Sequence, residues 1–224
     1  MKTLLSWSSG KDSAWTLHTL RQDPAIDVVG LVTTVNEAFD RVAMHGVRRT
    51  ILESQAAAAG VPLIVLPLPW PCSNEDYERI MGAFVAGQVA AGVEAMAFGD
   101  LYLEDIRSYR EEKLKATGLR PIFPLWGKPT RALAEDMIDG GLVTYLATVD
   151  PRKLDASFAG RVFDRALLND LPEGIDPCGE NGEFHTCVAA GPIFERALPL
   201  RVGETVMRDG FVFADLILDE GSVG

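Results

Sequence analysis

The sequence predicts an α/β protein: a parallel, doubly wound sheet, then a smaller C-terminal α+β unit ending in antiparallel strands. Three observations carry this. Short β-branched runs bounded by Gly or Pro alternate with helical patterns at crossover spacing, which gives a parallel sheet with both faces covered. The texture changes after Gly127-Lys128-Pro129. Near the end, two apolar runs flank Arg208-Asp209-Gly210, and Asp-Gly is a hairpin turn signal. The predicted division is residues 1–128 and 129–224.

Taken in order, Leu4, Leu5 and Trp7 predict a short buried strand, and the polar Gly-containing turn after it opens a helix from about Asp12 to Arg21. Val28 to Val35 is a β-branched run and reads as the second strand. Gly46 to Ala59 reads as helix, stopped by Gly60 as C-terminal cap, and Pro62 to Leu68 as strand. Ser73, three residues before Asp76, is helix-start chemistry. Tyr77, Ile80, Met81 and Phe84 then line one helical face. Ala95 to Phe98 is a strand ending at Gly99-Asp100. A charged helix follows over Leu103 to Thr117, then an extended stretch over Pro121 to Trp126. The second unit predicts a helix over Thr130 to Asp139, a strand over Val143 to Val149 and a helix over Phe158 to Asn169. A Gly-rich polar segment and two strands, Thr205 to Met207 and Phe211 to Leu218, close it.

Composition narrows the function classes. The chain has 224 residues, 47% apolar and 24% charged, which suits a folded globular protein. Its 21 Lys+Arg against 32 Asp+Glu leave a net charge of −11, which argues against a nonspecific grip on nucleic acid or an anionic membrane. Three cysteines form no disulfide framework. No signal-peptide pattern and no spanning helix are read, so the expectation is a cytoplasmic protein.

The turn Ser8-Ser9-Gly10-Lys11-Asp12-Ser13 carries the chemistry. A helix N-terminus presents unpaired N–H groups and the positive end of the dipole to an anion. Small residues permit close approach, the serines add hydroxyls, and Lys11 adds a charge suited to phosphate. Asp12 beside them points to magnesium or to a cap. Neither a Walker loop nor a dinucleotide fingerprint is present. An ordinary polar turn is the bland alternative. For Asp100 the choice lies between a magnesium contact at a strand's C-terminal end and a helix cap. For Glu180 and Glu183 it lies between general-base or cation-binding carboxylates and a solvated acidic loop.

The turn resembles the PP-loop, Ser-Gly-Gly-x-Asp-Ser, of the N-type ATP pyrophosphatases, with Ser9 in place of the second-position Gly. Cys178-Gly179-Glu180-Asn181-Gly182-Glu183-Phe184-His185-Thr186 is similar to the Gly-Glu-x-Gly-Glu-aromatic-x-Thr signature of the diphthine–ammonia ligase family. Phe98-Gly99-Asp100 and Pro124-Leu125-Trp126 match that family's Gly-Asp and Pro-Leu-Trp elements. The resemblance runs from Lys2 to about Pro192. It implies a HUP-like, Rossmann-like nucleotide domain and an ATP-dependent amide-forming ligase. A carboxylate attacks the α-phosphorus of ATP, releasing pyrophosphate, and ammonia then displaces AMP. The implied cofactors are ATP and Mg2+, with Asp12 and Asp100 on the metal. Ser8, Ser9, Gly10, Lys11, Asp12, Ser13, Thr33, His45, Gly99 and Asp100 are implied on the nucleotide, and Lys11, Glu180, Glu183 and His185 in catalysis. The family's acceptor is diphthine, a modified histidine on elongation factor 2, so the implied partners are a nucleotide, ammonia and a protein-borne carboxylate.

His185 stands where those ligases carry a carboxylate, which leaves open an acceptor other than diphthine. Arg107 and Arg110, one turn apart, read as phosphate contacts or, more commonly, as surface charge. Cys178, His185 and Cys187 lack the spacing of a closed metal site. A noncatalytic ATP- or AMP-binding regulator of the same fold is the competing reading, and a homodimer is one oligomeric state left open.

Overall fold

The computed structural model describes residues 1–37, 41, 42 and 46–219. Strand β1 (Lys2–Ser6) leads into α1 (Lys11–Arg21), β2 (Asp27–Asn36), the two-residue β3 (Arg41–Val42), α2 (Arg49–Ala59) and β4 (Leu63–Leu68). Then come α3 (Asn74–Ala90), β5 (Ala95–Ala97), α4 (Glu104–Leu114) and β6 (Arg120–Ile122). The parallel order is β4-β2-β1-β5-β6, with β3 antiparallel at the far end of β2. The order reverses between β1 and β5. That reversal opens a crevice beyond their C-terminal ends, where open α/β sheets bind ligands.

Alternation along the strands splits the apolar residues between two layers. Leu5, Leu31 and Ala97 face the large core with α1 and α2, whereas Leu4, Val32 and Met96 join a small cluster of eight buried residues with Val85 and Leu114.

The second unit holds α5 (Thr130–Asp139), β7 (Val143–Val149), a 3-10 turn over Ala156–Phe158, α6 (Arg165–Asp170), β8 (Phe184–Ala190), β9 (Leu200–Arg208) and β10 (Phe211–Leu218). Its strands form an antiparallel sheet ordered β8-β7-β10-β9. No helix among the described residues is long and apolar enough to cross a membrane.

Local signals account for several boundaries. Ser73 accepts a hydrogen bond from the Asp76 N–H at 3.0 Å and caps α3. Gly60 ends α2 in the left-handed conformation at φ 63°. Asp209 and Gly210 both carry positive φ, 50° and 81°, as a tight hairpin turn needs. Three expectations are corrected. The helix over Phe158 to Asn169 is a 3-10 turn followed by the six-residue α6, because the Asp164 side chain accepts from Leu167 N–H and starts the helix there. Within the Gly-rich segment, Phe184–Ala190 is a strand, mostly buried because it lies between β7 and the Ser8–Ser13 turn. The helix expected from Gly46 starts at Arg49, after an extended Arg48.

Candidate functional site

The Ser8–Ser13 turn leaves β1 in the crevice. Ser9 takes the left-handed conformation at φ 72°, a strain that glycine avoids. The surroundings hold it there. The Ser9 carbonyl accepts from Val188 N–H at 3.0 Å and from Gln55 Nε2 at 3.1 Å. Gln55, fully buried on α2, also donates to the Val188 carbonyl at 2.7 Å and accepts from Trp7 Nε1 at 3.1 Å. One amide thus ties β1, its turn and β8 together. The Lys11 N–H is taken by Thr186 Oγ1 at 3.1 Å.

Gly99 lies against the other side of the turn. A Cβ there would stand 3.0 Å from Asp12 C, 3.1 Å from Asp12 O and 3.2 Å from Ser13 N, so any side chain would push the Asp12–Ser13 peptide back. The two turns that flank the switch point are in backbone contact.

Lys11 does not face the crevice. Its side chain is buried, with Nζ donating to both Asp12 oxygens at 2.8 and 2.9 Å and to the Cys178 carbonyl at 2.5 Å. The rings of Phe163 and Phe184 lie 5.7 and 5.8 Å away. Burial disfavours the ammonium, but Asp12 leads the neighbours that hold it above its ordinary range. Asp100 is also engaged: Arg110 Nε and Nη2 donate to its two oxygens at 2.5 and 3.1 Å.

The segment after α6 folds over this turn. The Asp176 carboxylate accepts from Cys178 and Glu180 N–H, each at 3.0 Å, and so shapes the Gly-rich stretch. Glu180 reaches back to accept from Leu101 N–H at 2.9 Å, just past Asp100. Burial pushes its carboxyl up to about 7, with Asp12 and Asp100 adding to the shift. Glu183 is 3% exposed. Its Oε1 accepts from Asp176 N–H and Asn181 Nδ2, both at 3.1 Å, while Oε2 is buried with no hydrogen-bond partner among the described residues. The two glutamates therefore occupy different surroundings.

A cavity of about 610 Å³ opens between the sheet and the α3–α4 layer. Ser8, Thr33 and His185 line it on the sheet side, and Tyr77, Tyr109 and Arg110 on the helix side. Burial drives the His185 imidazole down to about 4, with Lys11 and Lys153 adding to it, so the ring is neutral at pH 7.

The structure therefore gathers Ser8, Ser9, Gly10, Asp12, Ser13, Gly99, Asp100 and Glu180 around the switch point, with Thr33 and His185 on the adjoining cavity. Lys11 and Glu183 lie behind that surface. His45 falls outside the described residues. Cys178 and Cys187 are buried with thiols pushed up to about 12 by desolvation, which suits no thiolate chemistry. Among the described residues no three ligating groups gather to hold a metal. The sequence reading missed Gln55, Thr186 and Asp176 as supports of the site. Asp176 carried a signal, since an Asp two residues before a Cys-Gly turn is Asx-turn chemistry.

Comparison with known proteins completes the picture. Residues 1–121 match the family model of the diphthamide synthase N-terminal domain, and residues 129–214 match that of the C-terminal domain. A diphthine–ammonia ligase of Schizosaccharomyces pombe is 30% identical over 137 residues, 59% of this chain and 22% of that protein. Its counterpart in Danio rerio is 30% identical over 150 residues, 64% of this chain and 58% of that protein. The Homo sapiens counterpart is 25% identical over 149 residues, 64% and 55% of the two chains. The chain spans less than two thirds of the length of each of these relatives. With both domain models matched in order across a fold whose paired turns meet at the switch point, this chain belongs to the diphthamide synthase family.

Proposed function

We propose that the chain is an ATP-dependent, AMP-forming ligase that activates a carboxylate and joins ammonia to it. The observation that carries the reading is the meeting of the Ser8–Ser13 turn, Gly99 and the Glu180 carboxylate at the switch point, beside a nucleotide-sized cavity. In this reading the triphosphate lies at the N-terminus of α1 and the adenosine enters the cavity beside Thr33. Residue 128 is the proposed boundary between the nucleotide unit and the acceptor-side unit.

Magnesium fits as an ion that arrives with the phosphates. Asp12 and Asp100 are the residues that would hold it, each sharing its carboxylate with the cation already paired to it, Lys11 and Arg110. When bound it neutralises phosphate charge. The chain's own groups do the rest. The positive end of the α1 dipole, with the Asp12 and Ser13 N–H groups, stabilises the charge that develops on the leaving pyrophosphate as the acceptor oxygen bonds to the α-phosphorus. Ammonia then attacks the activated carbonyl carbon, the carbon–oxygen bond to AMP breaks, and Glu180 takes the proton released from nitrogen. A carboxyl near 7 is matched to that task at neutral pH. The relatives are diphthine–ammonia ligases, so diphthine is the first acceptor to test.

The test is incubation with ATP, magnesium and ammonium, with and without carboxylate acceptors including diphthine-bearing elongation factor 2. AMP and pyrophosphate that depend on the acceptor are expected. ADP and phosphate would exclude the adenylating route, and tight ATP binding without turnover on any acid would favour the regulatory reading.

A further inference from the structure

The lysine of the turn is the obvious partner for phosphate, and it is committed elsewhere. Lys11 is 1% exposed, and its ammonium is shared among Asp12, the Cys178 carbonyl and two aromatic faces. An anion in the crevice therefore needs another cation. Two cations of α4 line the cavity, Arg110 and Lys113. Lys113 is ion-paired with Glu78 on α3 and half exposed, so it sits toward solvent. Arg110 is placed differently. Its guanidinium stacks 4.4 Å over the Phe98 ring, on the cavity wall. Its Nε and Nη2 hold Asp100, the residue next to the glycine that packs on the Asp12–Ser13 backbone. One planar fork thus spans the cavity wall and the edge of the turn. A guanidinium has five N–H donors, and a carboxylate engages it on one edge.

We infer that Arg110, in place of Lys11, is the cation that holds a phosphate group of the bound nucleotide, oriented for that role by Asp100 and Phe98. The inference rests on the nucleotide reading above. Lys11 is then a positioning residue that fastens the turn to the acceptor-side segment, and Asp100 positions Arg110.

Calorimetric titration of the full chain with ATP and with adenosine, no acceptor present, separates the two roles. Arg110→Met is expected to weaken ATP roughly ten- to a hundredfold, the worth of a charge-assisted contact, and to leave adenosine unchanged. Arg110→Gln keeps a donor toward Asp100 without the charge and is expected to show the same selective loss, while Arg110→Lys recovers part of it. Lys11→Met is expected to lower the melting temperature and to reduce the ratio of ATP to adenosine affinity less than Arg110→Gln does. An unchanged ratio in folded Arg110→Gln, or a larger fall in the ratio for Lys11→Met than for Arg110→Gln, overturns the inference while leaving the nucleotide reading intact. Failure of the unaltered chain to bind either ligand removes the nucleotide reading, and this inference with it.

Discussion

The two faces of the parallel sheet are built to different standards. On one face, seven of the eleven residues of α1 and six of the eleven of α2 are buried, beneath the antiparallel sheet of the second unit. On the other, α3 buries one residue of seventeen and α4 one of eleven. The first face is close-packed and fastened by Gln55 and Lys11; the second keeps a cavity of about 610 Å³ against the sheet. Close packing fixes a turn that must hold a strained Ser9, whereas a loosely packed layer leaves room for a ligand. The candidate site lies on the seam between the two.

The sharpest way to break this picture is at the seam itself. Glu180→Gln is expected to lower turnover roughly 10²- to 10⁴-fold, the usual worth of a general base, with nucleotide binding little changed. The pH profile checks the assignment. A base must be ionised, so the rate rises with pH through about 7 in the unaltered chain, and that limb is lost in the variant. Stability moves the opposite way. The folded carboxyl holds its proton up to about 7, above its ordinary 4.5, so Glu180 lowers stability progressively between those values. The variant is therefore expected to be the more stable protein at pH 8. Gly99→Ala comes next. Its Cβ meets three atoms of the Asp12–Ser13 peptide at 3.0–3.2 Å, so that peptide must move, and about a 10²-fold loss in kcat/KM is expected if the turn positions substrate.

Stability variants probe the close-packed face. Gln55→Leu strips partners from the Trp7 indole N–H and from the Ser9 and Val188 carbonyls. The two carbonyls keep or lose a second partner unequally, since Val188 N–H still serves Ser9. A loss of about 3 kcal/mol is expected, a fall in Tm of about 6–12 °C for a chain of this size. A loss under about 1 kcal/mol would mean that the turn is held by β8 alone.

Legibility in the sequence follows the same division. The succession of strands and helices, the Ser73 cap, the Gly60 stop and the Asp209-Gly210 hairpin were readable because each rests on local chemistry within a few residues, whereas the order of strands in the sheet was not read. So was the small-residue turn after β1. Gln55 was not readable. A glutamine on an alanine-rich helix looks like a surface residue, and its partners are Trp7 just past β1, Ser9 in the turn, and Cys187 and Val188 on β8. Lys11 announced its charge but not its direction, since a four-carbon stem allows it to face either side of the turn. Glu180 and Glu183 look alike in the chain, yet only the fold sends one to Leu101 N–H and buries the other beside Asp176. The short α6 had its cap signal, Asp164, in plain sight within a longer apolar pattern.

Paired leucine truncations compare the faces directly. Leu17→Ala on α1 opens a void in a close-packed layer and is expected to cost about 4 kcal/mol. Leu114→Ala on α4 enlarges space that already exists, so about 2 kcal/mol is expected. Equal losses in chemical denaturation would mean that the α3–α4 layer packs as tightly as its counterpart.

The smallest effects test whether the looseness of α3 serves ligand binding. Gly82 and Gly87 both lie inside α3, and a Cβ at either meets nothing within 4 Å. Alanine at each is therefore expected to add about 0.5–1 kcal/mol by reducing the freedom of the unfolded chain, about 1–4 °C in Tm. The two sites differ in one respect: Gly82 lines the cavity and Gly87 does not. Gly87→Ala should raise Tm with the KM for nucleotide unchanged, while Gly82→Ala should raise Tm and KM together, because its methyl occupies ligand space. Matching KM values for the two variants would place the nucleotide outside this cavity and would leave the poor packing of α3 without a role in binding.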